Sequence, residues 1–129
     1  MTPREVADRL RHDLGKAIVL SRRWLADGAS EAELRAALRD DLLRTRRGPD
    51  GVVSAFEVWA ARRGEVLVVF PDHDAVRVID AAMEALSAER ATLDGAGPVA
   101  ADVLARVAER TDAVEGACRA LVDAARGGR

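Results

Sequence analysis

Apolar residues recur every three or four positions along most of this chain, and that spacing constrains the fold more than any other feature. Val6, Leu10, Leu14, Ala17, Ile18, Ser21 and Leu25 mark a first stripe. Leu34, Leu38, Leu42 and Leu43 mark a second, and Val53, Phe56, Trp59 and Ala60 a third. Val76, Ile79, Met83 and Leu86 follow, then Val99, Val103, Val107, Val114, Cys118, Leu121 and Ala125. A helix brings residues so spaced to one face. The punctuation agrees. Thr2-Pro3-Arg4-Glu5 and Ser30-Glu31-Ala32-Glu33 read as capping boxes, while Asp27-Gly28, Gly48-Pro49 and Asp94-Gly95-Ala96-Gly97-Pro98 read as stops. The third helix is expected to begin near Asp50 and to stop before Gly64. Asp72 is the expected N-cap of the fourth, and the last is expected to run from about Pro98 to Arg126. Residues 66–70, Val-Leu-Val-Val-Phe, fit either a short extended segment or a buried helical turn. With no second strand to pair with, they are read as a buried connector.

These elements predict an all-α fold: one domain over residues 1–129, a bundle of about five helices with long first and last helices as its spine. Aromatic residues are 3% of the chain, so the core rests on Ala, Val and Leu, and no stacking platform for single-stranded nucleic acid is present. The net charge of -2 supplies no global basic field, which argues against nucleic acid as a partner. Charge is uneven, however. Residues 1–63 hold 13 Lys and Arg against 10 Asp and Glu, and the remainder 7 against 12. No apolar run approaches the length of a membrane span, so no membrane is expected and the cytoplasm is the simplest location. Cys118 is the single cysteine, which leaves no internal disulfide and no Cys-rich zinc site. Its place on an apolar stripe predicts a buried, inert thiol.

The candidate chemistry lies in the first helix. On a wheel with Leu10 at the origin, Val6, Leu14, Ala17, Ser21 and Leu25 fall within about 60° of it, while His12 falls near 200°. Lys16, Val19 and Arg23 share the side of His12, at i+4, i+7 and i+11. Asp8 stands one turn before His12 and Asp13 directly after it. A phosphoryl-accepting histidine needs an exposed ring nitrogen, a carboxylate to fix its tautomer, and cations for the phosphoryl oxygens. Asp8 or Asp13 suits the second role, Lys16 and Arg23 the third, and Val19 offers a partner an apolar contact.

The string Arg11-His12-Asp13-Leu14-Gly15-Lys16-Ala17-Ile18 resembles the H-box of histidine-kinase dimerisation and histidine-phosphotransfer domains. The resemblance implies that His12 is the phospho-acceptor, that Asp13 is the adjacent acid, and that the partner is a response regulator or a kinase. It also implies a relay intermediate rather than a turnover enzyme, with no cofactor of its own and a paired-helix homodimer as one arrangement. Lys16 stands where that family more often has Asn or Thr, and no ATP-binding domain accompanies the motif.

Two other readings stand beside it. A non-catalytic helical adaptor would bind a protein through an Arg-rich face, with Trp24, Arg44, Arg46 and Arg47 as contacts. His-Asp-Leu-Gly-Lys also resembles the signature of HD-type metal-dependent phosphohydrolases, but those need an upstream histidine, and none precedes His12. No metal site is assigned, and the blandest account of His12 is a solvated side chain paired with Asp8. His73, between Asp72 and Asp74, is read as part of a helix start.

Overall fold

A computed structural model describes residues 2–26, 55–89 and 101–127. Within them lie four helices and no strand: α1 (Pro3–Ala26), α2 (Ala55–Val69), α3 (Asp74–Ala88) and α4 (Ala101–Gly127). The described residues are all-α, as the apolar spacing predicts. The second expected helix, the Asp27-Gly28 and Gly48-Pro49 stops, and the Gly-rich break before Pro98 lie outside the described residues.

Helix α1 starts as its first four residues dictate. The Glu5 amide donates to Thr2 Oγ1 at 3.2 Å, and the Thr2 hydroxyl donates to Glu5 Oε1 at 3.1 Å. Thr2 thereby satisfies one of the N–H groups that a helix start leaves without a partner. Val6, Ala7, Leu10 and Leu14 then form its buried face.

Helix α2 departs from the sequence expectation in two ways. Gly64 does not stop it, and residues 66–69 are helical rather than a connector. Val58, Trp59 and Val66 are buried on one face, and their burial carries the helix across an exposed glycine. Tertiary packing here outweighs the local preference against Gly. Four consecutive apolar residues after Gly64 do not all point inward: Val66 is fully buried, whereas Val68 is 80% exposed. The true stop is Pro71. Phe70 N–H still donates to Val66 O at 2.8 Å, but proline has no N–H and disfavours helical backbone in the residue before it. A Cβ built on Gly64 meets nothing within 4 Å. Gly64→Ala should therefore stabilise the protein by about 1 kcal/mol, read as a shift in the urea unfolding midpoint without a change in slope.

After a corner at residues 70–73, α3 buries Ala75, Val76, Ile79, Ala82, Met83 and Leu86, and α4 buries Val103, Val107, Val114, Ala117, Cys118, Leu121 and Val122. One apolar cluster draws on all four helices. The main packing pairs are α1 with α4, α3 with α4, and α1 with α2, while α2 and α3 meet only lightly. Thr111, the buried polar residue of the core, donates its hydroxyl to Ala108 O at 2.9 Å and so costs little. At the end of α3, the Glu89 amide closes the helix on Leu86 O and Ser87 O, and its carboxylate accepts from Arg106 Nε of α4 at 2.6 Å.

Candidate functional site

The core face of α1 fixes what its other face presents. With Leu10 and Leu14 sealed against the cluster, His12 is exposed, as are Asp8 and Arg11. No hydrogen bond joins Asp8 to His12, and among the described residues neither has a hydrogen-bonded or ionic partner. Asp13 is used differently from the sequence expectation. Its carboxylate accepts from Arg62 Nη2 of α2 at 3.3 Å, and the same guanidinium reaches Glu65 Oε1 at 3.4 Å. Asp13 therefore ties α1 to α2, with about a third of its side chain open to water. Its distance in angle from His12, about 100° around the helix, explains why one carboxylate faces a neighbouring helix and its neighbour in sequence faces solvent.

The helix backbone runs unbroken through Lys16, Val19, Arg23 and Trp24, so the i+4, i+7 and i+11 relations of the first three to His12 hold along α1; the side chains of all four lie outside the described residues. Arg44, Arg46 and Arg47 lie wholly outside them. Among the described residues, no group of three or more His, Cys, Asp or Glu is placed to hold a metal ion, and no helix is long and apolar enough to cross a membrane. Cys118 is buried, and desolvation pushes its thiol up to about 12, with Arg11 opposing and Glu115 adding to the shift. At neutral pH it stays a thiol, which is a poor nucleophile.

A second polar constellation joins α2 to α3. Asp80 Oδ1 accepts from the buried Trp59 indole N–H at 2.8 Å, and Arg63 grips the same carboxylate through Nε at 2.9 Å and Nη2 at 2.9 Å. The Arg63 hydrogen bonds, with the Trp59 bond and the Arg63 charge behind them, hold the Asp80 carboxyl below its ordinary range against the opposing pull of partial burial. Trp59 and Arg63 share one face of α2 by their i,i+4 spacing, a relation visible in the sequence. That both meet Asp80 depends on the hairpin register of α2 and α3, for which no local spacing gives a sign. This clamp bridges the two helices that share little apolar contact.

Asp72 does not cap α3, contrary to the sequence expectation. The N-cap is His73, with extended backbone at φ -75° and ψ 132°, and its Nδ1 accepts from the Ala75 N–H at 3.1 Å. The Asp72 carbonyl and the Asp74 carboxylate are both engaged by Arg77, the latter at 2.6 Å.

Comparison of the chain with protein-family models, with curated proteins and with solved structures finds no match.

Proposed function

We propose that this chain is a helical phosphotransfer module in which His12 accepts a phosphoryl group from, or returns it to, an aspartate of a protein partner. The observation that supports this reading is the exposure of His12 on a helix whose opposite face is locked into the core. A neutral ring nitrogen attacks the phosphorus of the partner's acyl phosphate. The N–P bond forms as the P–O bond to the aspartyl carboxylate breaks, and that carboxylate leaves with the electron pair. Asp13 accepts from Arg62, so Asp8, one turn before His12 and not bonded to it in the structure, is the carboxylate assigned to swing onto the other ring nitrogen and its proton. Lys16 and Arg23 are assigned to the phosphoryl oxygens and Val19 to partner contact. The reading places the site on a single-domain bundle of about five helices in the cytoplasm, with a response-regulator-like or kinase partner.

Phosphoramidate, a small-molecule donor to histidine, tests this without a partner. The expected product is an acid-labile, alkali-stable label formed about tenfold or more faster than on N-acetylhistidine, a difference of about 1.4 kcal/mol in barrier. His12→Gln removes the accelerated label, leaving at most the N-acetylhistidine rate, and His73→Asn retains it. A native rate no greater than that of N-acetylhistidine, or an accelerated label surviving His12→Gln, overturns the assignment in favour of a non-catalytic adaptor.

A further inference from the structure

We infer that the corner between α2 and α3 is a pH-sensitive joint, closed by the neutral form of His73 and loosened when its imidazole takes up a proton. The evidence is the role of Nδ1. It accepts the Ala75 N–H at 3.1 Å, so it must carry a lone pair and not a hydrogen. A proton at Nδ1 would oppose one N–H to another and remove the cap. It would also place a positive charge at the helix end whose dipole is already positive.

The rest of the corner depends on the same residue. The His73 N–H donates to Phe70 O at 3.5 Å, and the His73 carbonyl accepts from Val76 N at 3.1 Å. The ring stands edge-on to Phe70, with centroids 6.0 Å apart, and Phe70 is part of the apolar cluster. The backbone of His73 thus ties the corner to both helices, while its ring caps α3 and touches Phe70 at the margin of the core. The charged groups around it are Asp72 and Asp74 on either side in the chain and Arg77 one turn on. Arg77 holds the Asp74 carboxylate and the Asp72 carbonyl. No hydrogen bond or ion pair reaches the His73 ring from α1 or α4 among the described residues.

The choice of histidine is what makes the joint responsive. The usual capping side chains, Ser, Thr, Asn and neighbouring Asp, do not change charge between pH 5 and 8, whereas imidazole does. The sign follows directly: the cap needs the neutral ring and is lost in the protonated one.

Backbone hydrogen exchange of the full chain at pH 7.5 and 5.5, each corrected for intrinsic exchange, tests the joint. Protection of the Ala75 amide should fall by about tenfold on acidification in the native protein, the size of a lost cap. His73→Asn supplies a capping oxygen that does not titrate here, and its Ala75 protection should be the same at both pH values. Nitrogen-15 shifts of the native imidazole provide a second readout, independent of any variant's folding: Nδ1 should appear unprotonated at pH 7.5. Equal pH dependence in native and His73→Asn proteins, or a protonated Nδ1 at pH 7.5, overturns the inference.

Discussion

Trp59→Ala should destabilise the protein by about 3–5 kcal/mol, the range for emptying an aromatic site in a packed core. Trp59 is only 4% exposed, and it belongs to the cluster shared by all four helices. The substitution removes both its packing and its bond to Asp80. Trp59→Phe separates the two terms: it keeps most of the volume and deletes the indole N–H, and should cost about 1 kcal/mol, because Asp80 remains gripped by Arg63. Urea unfolding of the three proteins checks both numbers. A pH series adds a third reading. A carboxyl held below its ordinary range in the folded state contributes stability above the unfolded carboxylate range, and that contribution disappears as pH falls through the folded value. Asp80→Asn should therefore lower stability at neutral pH and flatten part of its decline in acid.

Leu14→Ala should cost about 2–5 kcal/mol, while His12→Gln, two residues away, should change stability by less than about 0.5 kcal/mol. Leu14 is fully buried in the apolar cluster shared by the four helices, so its loss leaves a cavity. His12 is exposed and has no hydrogen-bonded or ionic partner among the described residues. The contrast matters for the phosphotransfer test: loss of label in His12→Gln will report chemistry, not unfolding. Matched urea curves for the native protein and the two variants measure it. A large loss in His12→Gln would show that the exposed face of α1 bears structural weight.

The sequence made the faces of the helices legible and left their ends and mutual contacts obscure. Val6, Leu10 and Leu14 inward with His12 outward follow from the 3.6-residue period alone. The same period placed Val103, Val107, Val114, Cys118 and Leu121 inside. The ends misled because local rules met stronger tertiary terms. Gly64 is a poor helix residue, yet buried Trp59 and Val66 on either side of it keep α2 intact. Asp72 is a better capping type than His73, yet Arg77 engages the carbonyl of Asp72 and a histidine nitrogen supplies the cap. Of the candidate site, the exposure of His12 could be read from the wheel. The diversion of Asp13 to Arg62 could not, because it joins residues of two helices whose register no local pattern records.

The pairing of α1 with α4 has a consequence for how the chain acquires its fold. These two helices form one of the main packed interfaces, yet the whole of α2 and α3 separates them in sequence. A growing chain can assemble the α2–α3 hairpin early, since its two arms are joined by a short corner and clamped by Trp59, Arg63 and Asp80. α2 can cover part of the apolar face of α1 beforehand, but the part that meets α4 stays uncovered until α4 has been made. Full burial of α1 therefore follows the making of α4, and the part of its stripe that α4 covers is open to chaperones until then.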